Sequence, residues 1–140
     1  MAKRPGIELL EGVPLFEGLP PRHLRRIREI AEPADYMEGA SLVKQGAPGD
    51  SFFVIIEGQA KVRVGSRTIN RLTPGDYFGE ISLLDGGART ASVVSETPLK
   101  VLMIERRRFL KLLHDEGAIA VALLEGMARA IRRTDRSLAV

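Results

Sequence analysis

Between Pro20 and Ala31 the apolar residues Leu24, Ile27, Ile30 and Ala31 recur at helical spacing, with Arg22, Arg25, Arg26 and Arg28 between them. That pattern predicts one amphipathic helix lying on a larger body, started by Pro20 and Pro21 and stopped by Pro33. From about Asp35 to Ile104 the period shortens. Runs of strand-forming residues (41–44, 52–57, 59–64, 68–72, 91–95 and 99–104) are separated by turn residues such as 46–50, Gly58, Gly65-Ser66, 74–76 and Gly86-Gly87. Strands returning about every 8–12 residues with this punctuation predict an antiparallel sandwich or barrel rather than alternating β and α units. Ala60, Val62 and Val64 are expected on one face, with Gln59, Lys61 and Arg63 on the other. From Glu105 onward strands stop. Phe109, Leu110, Leu112 and Leu113 predict a short helix over 106–114, Gly117 a break, and residues 118–137 a longer helix.

The expected fold is therefore mainly β with flanking α. It is an antiparallel β-barrel or jelly roll with an N-terminal helix and two C-terminal helices, in one domain spanning 1–140. The helical entry covers 1–33, the barrel 34–104 and the C-terminal helices 105–140. A chain of 140 residues buries roughly two thirds of its unfolded surface, enough for a core. Its apolar runs, such as Phe52 to Ile56, fall far short of the about 20 residues a membrane span needs, so no membrane partner is expected. No apolar stretch follows Met1-Ala2-Lys3-Arg4-Pro5, and cysteine is absent. The simplest expectation is a cytoplasmic protein without a signal peptide, disulfides or thiolate metal sites.

The net charge of +3 lies wholly in the last quarter: residues 1–104 hold 13 basic and 13 acidic side chains, residues 105–140 hold 8 and 5. Arg129, Arg132, Arg133 and Arg136 sit near the end of the last helix, where cations complement the dipole. With five Phe and two Tyr, and no basic-aromatic interleaving, nucleic acid is not an expected partner.

One stretch within the barrel, 78–93, departs from plain strand. Phe78 gives way to Gly79, then Glu80-Ile81-Ser82-Leu83-Leu84 fits about one helical turn, Gly86-Gly87 ends it, and Arg89 is expected to open the next strand. Glycine before a short helix permits close backbone approach, first-turn N–H groups favour an anion, and an arginine fork fits phosphate oxygens. Glu80 accepts hydrogen bonds from hydroxyls and repels phosphate. Together these suit a ligand bearing a phosphate beside a sugar hydroxyl. Without a ligand, Glu80 still suits a first turn and Arg89 can pair with it.

Phe78-Gly79-Glu80, the turn residues that follow, and Arg89-Thr90-Ala91 resemble the phosphate-binding cassette of cyclic nucleotide-binding domains. Lys44-Gln45-Gly46, Gly49-Asp50, 52–55, Gly58, Arg71-Leu72, Gly75-Asp76 and 16–19 extend the resemblance over nearly the whole chain. It implies a non-catalytic sensor whose ligand is cAMP or cGMP, with cAMP favoured. Arg89, Thr90 and the backbone of Gly79, Glu80, Ile81 and Ser82 would hold the phosphate, and Glu80 the ribose 2′-hydroxyl. Val62 and Leu72 would meet the base, although ordinary barrel core explains these two equally well. Thr90 leaves the choice of base open, since a hydroxyl there is compatible with either nucleotide.

In the members similar to catabolite activator protein, a residue placed like Thr134 touches adenine, and the long helix dimerises. Here Ala120, Leu124, Met127, Ile131, Thr134 and Leu138 are spaced as a short coiled-coil seam. A homodimer through Leu124, Met127, Ile131 and Leu138 is accordingly expected. Those members continue into a DNA-binding helix-turn-helix, whereas this sequence ends at Val140, so DNA binding is not carried over. The resemblance further implies a switch in which phosphate draws in the cassette and the helices after Ile104 repack, toward a downstream protein the sequence does not name. Two alternatives remain. A cupin-like β-barrel enzyme needs clustered metal-binding histidines, and only His23 and His114 are present, both on expected helices. A ligand-free interaction module would be favoured had the cassette lacked its Arg or Glu.

Overall fold

The computed structural model describes residues 6–135. Three short helical pieces open the chain: α1 (Ile7–Glu11), a 3-10 turn (Pro14–Phe16) and α2 (Pro21–Ile30). Eight strands follow: β1 (Glu32–Tyr36), β2 (Ser41–Val43), β3 (Ser51–Glu57), β4 (Ala60–Val64), β5 (Arg67–Leu72), β6 (Tyr77–Phe78), β7 (Ser92–Ser95) and β8 (Leu99–Glu105). The helix α3 (Glu80–Asp85) lies between β6 and β7, and α4 (Arg106–Asp115) and α5 (Gly117–Thr134) come last. The strands form two four-stranded antiparallel sheets in the orders β1-β8-β3-β6 and β2-β7-β4-β5, a jelly roll.

The apolar run of β3 is explained by its position between two cores. Phe53 and Ile55 face inward with Ala60, Leu72, Val93, Leu99 and Val101 to fill the barrel. Phe52 and Val54 face outward, and with Leu102 and Ile104 they meet Phe16, Leu24, Ile27, Phe109, Ile119 and Leu123 from the helices. Phe16 packs edge-on to Phe52 at 5.9 Å between ring centroids.

Four details differ from the sequence expectations. α1 and the 3-10 turn precede the one expected N-terminal helix. Pro33 lies inside β1, opposite Leu102, so the first sheet begins at Glu32; β1 is an edge strand, the place in a sheet where proline is tolerated. A bulge between Val62 and Arg63 breaks the alternation of β4, leaving Val64 exposed. Gly117 is the first residue of α5, the break falling at Glu116. Leu138, Ser137 and Arg136, placed above on the last helix, lie outside the described residues.

Candidate functional site

The turn from β6 into α3 depends on Gly79, whose φ of 90° places it in the left-handed region. A side chain there would put its Cβ 2.5 Å from Nη1 of Arg89 and 2.8 Å from the Ser51 carbonyl. α3 is anchored to the interior by Leu83, which is fully buried in the outer core, with Leu84 packed against the same core. Gly86, at φ 67°, ends the helix and donates to the Ser82 carbonyl at 2.8 Å.

The segment after α3 is laced to the β2–β3 loop. Gly49 N–H donates to Gly87 O at 3.0 Å, Arg89 N–H to Ala47 O at 2.8 Å, and Gly46 N–H to Arg89 O at 2.8 Å, with Pro48 and Ala88 forming a bridge. Gly49 is buried, and the approach is so close that a Cβ there would strike Ser82 and come within 2.6 Å of the Gly87 carbonyl. Arg89 therefore lies in a clasp between loops, and the strand that it was expected to open begins at Ser92.

Arg89 is only 7% exposed. Its Nη2 donates to the Ser51 carbonyl at 2.5 Å and reaches Ser51 Oγ at 3.4 Å, while Nε is buried without a hydrogen-bond partner. Burial pushes the guanidinium pKa down, and nearby Asp50 pushes it back up. Among the described residues no ion pair joins Arg89 to Glu80. The protein has thus buried a permanent cation with donors to spare, an arrangement that costs free energy unless an anion completes it.

Both side chains line a cavity of about 600 Å³. Of the residues singled out in the sequence, Val62, Leu72, Gly79, Glu80, Ile81, Ser82, Arg89 and Thr90 line it together. Thr134 does not. It lies on the exposed last turn of α5, where its hydroxyl donates to the Ala130 carbonyl at 3.0 Å. Spacing along a helix carried no information about where the helix axis points. Phe78, Asp85, Gly87, Ala88, Ala91 and Val93, all within 78–93, also line it, together with Val43 and Tyr77, which were missed. The available signal was the glycine pair Gly46 and Gly49, read as turn punctuation and as part of the family resemblance. The Tyr77 hydroxyl is pushed up in pKa by burial and then by the Glu80 and Asp76 carboxylates.

Arg106, the first residue of α4, also went unremarked in the sequence. Its Nη2 donates to Leu84 O at 2.9 Å, its Nε is buried without a partner, its backbone N–H donates to Asp50 O at 2.8 Å, and its guanidinium lies against Gly86. It thereby satisfies one of the carbonyls left open at the end of α3.

Among the described residues no group of three His, Asp or Glu side chains is placed to hold a metal ion. His23 lies on α2 and His114 in the last turn of α4, and neither lines the cavity. No described helix is long and apolar enough to cross a membrane.

Residues 33–116 match the family model of the cyclic nucleotide-binding domain. The chain is 33% identical over 139 residues to a CRP-like cAMP-activated global transcriptional regulator of Mycobacterium tuberculosis, covering 94% of this chain and 61% of that protein. It is 34% identical over 108 residues to a cAMP-dependent protein kinase regulatory subunit of Colletotrichum orbiculare, covering 76% of this chain and 28% of that protein. The structure is similar to the N-terminal domain of a transcriptional regulator from Streptomyces coelicolor, with a TM-score of 0.82 at 29% identity, covering 91% of this chain and 95% of that one. The chain thus spans less than two thirds of the length of these curated relatives.

Proposed function

The chain belongs to the cyclic nucleotide-binding domain family, and from that premise we propose that it is a cytoplasmic, non-catalytic sensor that binds cAMP ahead of cGMP. Arg89, Thr90 and the backbone of 79–82 hold the cyclic phosphate, Glu80 accepts the ribose 2′-hydroxyl, and Val62 and Leu72 pack on the base. The observation that carries this reading is Arg89: a buried guanidinium, one bond short at Nε, lining the same cavity as an unpaired carboxylate. Its single charge balances that of a cyclic phosphodiester, and Glu80 disfavours the extra charge of a linear phosphate. cAMP is placed first because the regulator and the kinase subunit similar to this chain are named for it.

Calorimetric titration tests the reading. Saturable heats are expected with cAMP and with cGMP, weaker for cGMP, and little heat with AMP. Absence of heat for both cyclic nucleotides at millimolar concentration would sink it.

A homodimer through α5 belongs to the same proposal. Ile119 and Leu123 are committed to the outer core, whereas Leu124 is 63% and Ile131 51% exposed, with Met127 half-buried between them. Sedimentation velocity at tens of micromolar is expected to show a dimer that Leu124→Glu with Ile131→Glu converts to monomer. A monomeric wild type with and without cAMP would rule the seam out.

A further inference from the structure

The cavity is partitioned by chemistry. Among the described residues, every lining side chain that can form a hydrogen bond comes from residues 77–90: Tyr77, Glu80, Ser82, Asp85, Arg89 and Thr90. The second sheet contributes only aliphatic groups. Val43, Val93 and Val62 are direct neighbours across β2, β7 and β4. Leu72 extends this floor on β5, opposite Ala60. The polar neighbours on those strands, among them Lys61, Arg63, Asn70 and Ser92, are absent from the lining. β7 and β4 are the interior strands of their sheet, so their backbone groups are engaged in ladders on both sides.

Resting on the reading above, we propose that the domain reads the phosphate and ribose of a cyclic mononucleotide and is nearly indifferent to its base, so that cyclic CMP and cyclic UMP are ligands alongside the purine nucleotides. The four bases differ in where donors and acceptors sit on their edges and share two apolar faces. An aliphatic floor meets the faces and has nothing with which to question the edges. A site built to hydrogen-bond a group rejects a ligand lacking it by about 10⁴–10⁵-fold, while differences of apolar contact are worth only about 10–200-fold. The pyrimidines lose the area of one small ring, a penalty of about tenfold. The lead of cAMP over cGMP is then less than about tenfold, and selection is concentrated in the sugar-phosphate.

The experiment is calorimetry on the whole chain with cAMP, cGMP, cCMP, cUMP and 2′-deoxy-cAMP under one buffer. The four ribonucleotides are expected to fall within about thirtyfold of one another, and 2′-deoxy-cAMP to bind at least tenfold more weakly than cAMP. One ribonucleotide binding more than a hundredfold tighter than the other three overturns the inference and leaves the proposed function standing. Binding of none of the four overturns both.

Discussion

Replacing Arg89 by alanine is expected to weaken cyclic nucleotide binding by at least about thirtyfold while leaving the fold intact. The phosphate would face only backbone donors and the Thr90 hydroxyl, and losing one member of a buried, hydrogen-bonded charge pair costs about 2–5 kcal/mol. That corresponds to about thirtyfold to several thousandfold in affinity. The unliganded fold responds differently. Arg89 keeps one strong bond, to Ser51 O, against the desolvation of a nearly buried cation whose Nε has no partner. Removing it forfeits that bond and relieves that desolvation, so the melting temperature without ligand should move by no more than a few degrees. Wild type at about 100 times its dissociation constant gains about 2.7 kcal/mol from ligand, visible as a rise of several degrees; at the same ligand concentration Arg89→Ala should gain no more than about a third of that. Arg89→Lys should fare little better, because an ammonium lacks the planar fork. A variant binding cAMP within tenfold of wild type would refute the assignment.

Glu80→Ala is expected to weaken cAMP by about 1.5–3 kcal/mol, the worth of a hydrogen bond to a charged group. Binding of 2′-deoxy-cAMP should change little, since that ligand never made the bond, and removing a carboxylate beside the phosphate slightly favours it. A double-mutant cycle over protein and ligand isolates the coupling. Equal losses for the two ligands would show that Glu80 acts on the cassette and not on the sugar.

What could be read in the sequence was what local chemistry dictates. The cassette stood out because Gly79 and Gly86 bracket a single helical turn, both of them at positive φ in the structure, and because Glu80 and Arg89 flank that turn. The strands stood out because their turns are punctuated. What stayed hidden depends on long-range partners. Pro33 reads as a helix stop and is tolerated in β1 only because that strand lies at an edge. α1 is five residues long, too short to hold by itself, and it forms where Ile7 and Leu10 find buried positions. The bulge in β4 and the clasp of residues 46–49 on 87–89 are matters of register between distant segments. Thr134 illustrates the same limit from the other side: its spacing from Phe109 is a local property, and its distance from the cavity is a tertiary one.

Arg106 makes one mechanical constraint explicit. Its backbone begins α4, while its guanidinium is tied to the tail end of α3, so the residue is a coupling pin between the wall of the cavity and the lever that follows it. Suppose α3 slides toward an anion by an ångström. If α4 stays put, the pin shears, and Leu84 O and a largely enclosed guanidinium are both stranded, at about 1–3 kcal/mol for each unsatisfied group. If α4 follows, the pin holds and the motion is passed down the chain to α5. The Arg106–Leu84 hydrogen bond thus joins the wall of the cavity to α4, although no residue of α5 lines the cavity.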